Sequence, residues 1–127
     1  MKGALHEKRH MDDARYRAPA LDKGLDILEL LSEIDGALTQ AEIAKALGRG
    51  PNEFYRMLDR LVRRGYVART EDDRYTLTLK LFSYAHLHRP TQRLASLATP
   101  LMRELANATL QANHLAVFDR GSVVVVA

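Results

Sequence analysis

The chain contains no cysteine, which excludes disulfides and thiolate metal ligands and fits a reducing compartment. It also lacks any long apolar run. The longest aliphatic stretch, "VVVVA" at residues 123–127, falls far short of the roughly 20 residues a transmembrane helix needs. Residues 1–17, "MKGALHEKRHMDDARYR", hold no apolar segment of the kind a secretory signal requires, so a cytoplasmic protein with no membrane partner is expected. Phosphate-cradling glycine loops, nucleophile elbows and acid pairs are missing as well, so neither catalysis nor a cofactor has a candidate constellation, and a non-enzyme is expected. His86 and His88 stand two apart and turn to different faces of a helix, while His6 and His10 lie in a polar segment. No metal site is expected from either pair.

What is present points elsewhere. With 127 residues, 46% of them hydrophobic and 28% charged, the chain suits one small globular domain plus an appendage. The net charge of +3 hides a strong segregation. Residues 21–48 set Asp22, Asp26, Glu29, Glu33, Asp35 and Glu42 against Lys23 and Lys45, whereas residues 49–69 set six arginines (49, 56, 60, 63, 64, 69) against Glu53 and Asp59. Such a concentration is the footprint of a polyanion-binding face.

Periodicity places that basic stretch on a helix. After an N-terminal arm at residues 1–17 ending in the basic triplet "RYR", the text "PALDKGLDILELLSEIDG" predicts a first helix from about 20 to 34, with Pro19 in its first turn and Gly36 closing it. Its apolar face, Leu21, Leu25, Ile27, Leu28, Leu30 and Leu31, is wider than one small core needs and is expected to meet a second subunit. In "LTQAEIAKALG", Thr39 and Glu42 form a capping box that starts a second helix, which Gly48 ends. A third helix, about 51–64, follows Gly50 and Pro51, with Phe54, Met57, Leu58, Leu61 and Val62 inward. Beyond Gly65, "YVARTEDDRYTLT" reads as two strands around a turn at residues 71–73. The fold class is therefore mainly α with a small β-hairpin wing: a winged helix-turn-helix over residues 18–84. Residues 85–97 are expected to form a linker helix, and Pro100 to kink the next helical segment or open a new one. "NHLAVFDRGSVVVVA" looks like a hairpin whose last strand ends with nothing left to pair it, as in a piece of a longer protein.

A major groove about 12 Å wide admits one helix and displays a distinct pattern for each base pair. From the third helix, Asn52, Glu53, Tyr55 and Arg56 are the expected base readers. Thr39, Gln40, Arg49, Arg60, Arg69 and Arg74 are the expected phosphate contacts, contributing affinity without sequence information. Arg63 and Arg64, at the far end of that helix, also suit its C-terminal dipole.

At "ALDKGLDILELL", "LTQAEIAKALG", "YRMLDRLVRRGYV" and "RYTLTLKLF" the chain resembles the N-terminal DNA-binding part of the IclR family of bacterial transcription regulators. The likeness runs in order and spacing from about Ala20 to Ala127. It implies a winged helix-turn-helix, dimerisation through the N-terminal domain, a linking helix and a C-terminal effector-binding α/β domain. Residues 98–127 are similar to the opening of that domain, and a small-molecule effector is implied only for the part beyond it. Recognition helices of the family often open with small hydroxyl residues; this one has "GPNEF", so no operator sequence carries over. The expectation is a sequence-specific regulator that binds double-stranded DNA as a homodimer; the alternatives are a winged-helix scaffold for protein partners and a non-specific nucleic-acid binder.

Overall fold

The computed structural model describes residues 16–127. Most of the expected arm, together with His6 and His10, lies outside the described residues. The chain divides into two compact units between Thr78 and Leu79.

In the first unit, α1 (Pro19–Glu33) opens with proline in its first turn, where a missing N–H costs nothing. Gly36 does not cap it directly: the helix ends at an extended Ile34, and Gly36 takes its positive φ of 121° in the following bend. A two-residue strand, β1 (Leu38–Thr39), leads into α2 (Gln40–Ala46), and a 3-10 turn at Pro51–Glu53 precedes α3 (Tyr55–Arg63). Strands β2 (Val67–Arg69) and β3 (Arg74–Leu77) form the wing. β1 was not expected from sequence, and it joins the wing to make an antiparallel sheet in the order β1-β3-β2, with Leu38 opposite Tyr75 and Val67 opposite Leu77.

One core holds these elements. Ile27 and Leu31 from α1, Ile43 and Ala44 from α2, Phe54, Leu58 from α3, and Val67 and Tyr75 from the sheet are buried together. Each large member contributes roughly 1.5–3 kcal/mol by leaving water. Two glycines make the tight packing possible. Gly48 (φ 66°) and Gly65 (φ 78°) end α2 and α3 in the left-handed region, and each closes a paired cap: Arg49 N–H to Ala44 O at 2.9 Å with Gly48 N–H to Lys45 O at 3.1 Å, then Tyr66 N–H to Leu61 O and Gly65 N–H to Val62 O, both at 3.0 Å. Four carbonyls that a helix end would otherwise leave unsatisfied are thereby used.

The expected third helix at 51–64 is not continuous. Pro51–Glu53 form a 3-10 turn closed by Glu53 N–H to Gly50 O at 3.2 Å, and the α-helix begins only at Tyr55. Phe54 makes the break: fully buried, with φ −102° and ψ −10°, its ring is drawn into the core and its backbone sits off the helical values.

The second unit contains α4 (Lys80–Leu87), α5 (Arg89–Thr109) and a hairpin of β4 (Ala116–Asp119) and β5 (Ser122–Val125). The expected linker helix at 85–97 is two helices meeting at His88, whose ψ of 107° is extended. Pro90 suits the first turn of α5, which explains why the break comes there. Pro100 neither ends α5 nor opens a new helix: the helix runs through it, with Ser96 and Thr99 hydroxyls donating to the carbonyls of Gln92 (2.8 Å) and Ala95 (2.6 Å) around the position. The C-terminal valine run is also paired, contrary to expectation. Val123, Val124 and Val125 stand opposite Phe118, Val117 and Ala116, and Arg120 (φ 43°) with Gly121 (φ 84°) supplies the two positive φ values of a tight hairpin turn. No helix among the described residues is long and apolar enough to cross a membrane.

Candidate nucleic-acid interface

The capping box expected at the start of α2 is present on both sides: Glu42 N–H donates to Thr39 Oγ1 at 3.2 Å, and Thr39 N–H donates to Glu42 Oε2 at 2.8 Å. These bonds to Thr39, helped by the Arg74 charge, hold the Glu42 carboxyl below the usual carboxylate range. Arg74 Nη1 lies 3.2 Å from the same Oε2 and donates to Ala37 O at 3.1 Å, so the wing is tied to the beginning of α2. Gln40 Nε2 donates to Pro51 O at 2.6 Å, which fastens the other side of the turn. Thr39 keeps its hydroxyl proton and Gln40 its side-chain carbonyl and one N–H for an outside partner.

On α3 the residues separate by face. Leu58 is buried and Met57, Leu61 and Val62 are partly so, while Arg56, Arg60 and Arg63 follow one another at i, i+4 and i+7 on the exposed side. Arg63 Nε donates to both carboxylate oxygens of Asp59, at 3.1 and 3.0 Å, so its charge is partly answered within the helix. Arg56 and Arg60 are exposed and have no hydrogen-bond or ion-pair partner among the described residues. Tyr55, at the first position of α3, is 60% exposed. Asn52 is exposed on the 3-10 turn, ahead of the helix in which the sequence had placed it.

Other expected contacts prove to have partners inside the protein. Glu53 is bound to Lys23 at 3.1 Å and approached by Arg49 at 3.6 Å, and the hydrogen bond from Lys23, then that from Gly50, lowers its carboxyl pKa. Arg69 pairs with Asp73 at 2.8 Å and Arg74 with Asp72 at 3.2 Å, so both wing arginines lean on the acids of their own turn. Asp72 is held below the usual carboxylate range chiefly by the hydrogen bond from Thr70. The six-residue apolar face of α1 is largely used up within its own domain. Ile27 and Leu31 are 0% and 4% exposed in the domain's own core and have no surface to offer a second subunit; Leu28 and Leu30 pack partly against that core. Leu21 and Leu25 remain, 61% and 45% exposed. Sequence reasoning missed Lys23 altogether, because nothing in its neighbourhood signals a partner thirty positions away.

A capped helix, a tight turn, a second helix with an exposed arginine row, and a sheet folded back against them define a winged helix-turn-helix. Residues 20–71 match the IclR helix-turn-helix domain family, so the first unit carries an IclR-type helix-turn-helix, and the chain is similar to transcription regulators of that family. It is 32% identical over 103 residues to the HTH-type transcriptional regulator KdgR of Escherichia coli (strain K12), across 80% of this chain and 39% of that protein. Over 106 residues it is 28% identical to RhmR of the same strain, described as an uncharacterized HTH-type transcriptional regulator, across 84% of this chain and 40% of that one. An IclR family transcriptional regulator from Brucella abortus has a similar structure, with a TM-score of 0.74 at 26% identity over 93% of this chain and 45% of that chain. The chain spans about two fifths of the length of the curated relatives it matches.

Proposed function

We propose that this protein is a sequence-specific DNA-binding transcription regulator of the bacterial cytoplasm, acting without catalysis and as a homodimer. Two copies of α3 enter successive major grooves, with Asn52, Tyr55 and Arg56 toward the bases and Arg60, Arg49, Thr39 and Gln40 toward phosphates. Arg69 and Arg74 reach phosphates only by leaving their carboxylate partners. Leu21 and Leu25 are the apolar part of α1 left for the dimer contact. The observation that carries the reading is the row formed by Arg56 and Arg60: two exposed guanidinium groups without partners among the described residues, on the helix that follows the tight turn. Relatives named as HTH-type transcriptional regulators support it. A small-molecule effector site is proposed only for a chain that has the further length of these relatives.

Fluorescence anisotropy tests the reading, using the chain with its own upstream intergenic DNA and with scrambled DNA at two salt concentrations. Tighter binding to the upstream DNA, weakened by salt, is expected. Equal binding to both would reduce the protein to a non-specific binder, and no binding at either salt would favour a protein-interaction scaffold.

A further inference from the structure

Glu53 stands where a base-reading side chain was expected, yet both of its carboxylate oxygens have partners. Oε2 lies 3.1 Å from Lys23 Nζ on α1 and 3.6 Å from Arg49 Nη1 in the loop after α2. Oε1 accepts from the N–H of Gly50 at a long 3.4 Å. Two separate segments, α1 and the loop at residues 49–50, therefore meet at one carboxylate. Lys23 is the better covered partner, its side chain 23% exposed against 42% for Glu53.

The turn needs this hold. Pro51, Asn52 and Glu53 are all exposed, so no buried side chain anchors them between Gly50 and Phe54. Their other ties are the Gln40 bond to Pro51 O and the single turn bond from Glu53 N–H to Gly50 O. A lone carboxylate brought to a DNA groove also meets phosphate repulsion, whereas one flanked by an ammonium and a guanidinium does not. We infer that Glu53 is a positioning residue that fastens the 3-10 turn to α1 through Lys23, fixing Asn52 and Arg56 relative to the exposed leucines of α1, and that it does not read a base. In a dimer joined along α1, that link sets the separation of the two reading turns. The inference rests on the DNA-binding reading above.

The test uses the full chain and a duplex selected by it from random sequence, compared with a scrambled duplex. Glu53→Gln and Lys23→Gln should each lower the ratio of selected to scrambled affinity by about two- to five-fold, the range open to an exposed pair. The double variant should lose no more than either single one, because both break the same bridge. Lys23→Gln should also raise the Glu53 carboxyl titration followed by NMR in the free protein. A change of preferred base in Glu53→Gln with a silent Lys23→Gln would make Glu53 a reader and overturn the inference. Unchanged ratios in both variants would overturn it too, leaving a surface bridge without consequence. If the unmodified chain shows no preference for any duplex, the DNA-binding reading itself fails and the inference with it; that outcome is distinguishable because the Glu53 titration would still respond to Lys23→Gln.

Discussion

The two units of this chain spend their apolar residues in opposite ways. Every buried apolar side chain among the described residues lies between Ile27 and Tyr75, inside the winged helix-turn-helix. Beyond Thr78 none is buried: Leu97, Leu101 and Leu105 on α5 and Val123, Val124 and Val125 on β5 are 47% exposed or more. The second unit is built from local hydrogen bonds, helical and hairpin, and the first from contacts between residues far apart in sequence. Secondary structure and a core are thus separate achievements. Helical spacing and a two-residue turn suffice for the first, while the second needs several elements converging on the same apolar volume.

Substitutions should expose that contrast, and the largest effect is expected at Phe54. Phe54→Ala empties the centre of the first unit and should cost about 3–5 kcal/mol, read as a lower urea midpoint of that unit. A loss below about 1 kcal/mol would mean that the core closes over the gap and that the unit is less tightly specified than its burial suggests. Arg56→Ala separates binding from stability: on the selected duplex it should cost on the order of 1–3 kcal/mol and relax preference at one base position, with the urea midpoint unchanged. Equal losses on selected and scrambled DNA would place Arg56 on phosphate alone.

A smaller effect is expected where the wing meets α2. Glu42 is ionised in the fold at pH values where a free glutamate, near 4.3, is already taking up protons, so its contribution is full above that value and is lost as pH falls through the lowered folded-state pKa. Glu42→Gln should lower the thermal midpoint at neutral pH and flatten its acid limb; identical pH profiles for the variant and the parent would show that the charge is irrelevant to the cap. The smallest effect belongs to the second unit. Leu101→Gln, at a position 68% exposed, should leave the urea midpoint of the first unit within about 0.5 kcal/mol. A larger shift would show that the two units share stability.

Much of the first unit was legible in the sequence because its signals are local. Thr39 and Glu42 stand three apart, the distance across one helical turn, and the capping box follows. Gly48 and Gly65 mark the points where α2 and α3 end in the left-handed region, and the inward row of α3 was readable from its spacing. The candidate site was less legible. Arg56 and Arg60 are exposed on α3 as its spacing predicts, but the internal partners of Glu53, Arg69 and Arg74 were not foreseen, and Ile27 and Leu31, expected on a dimer face, lie in the domain's own core. Periodicity gives a helix its apolar face without saying how much of that face its own domain will cover.

A basic helix after a tight turn, a capped helix before it and a hairpin behind it follow from local residue order, since each is specified by residues within a few positions of one another. Long-range packing was needed for β1 to complete the sheet, for Phe54 to break the third helix by sinking into the core, and for Lys23 and Arg74 each to reach a glutamate about thirty positions away. Those pairings depend on distances in space that no local pattern encodes, and burial is a property of the assembled elements, not of any one of them.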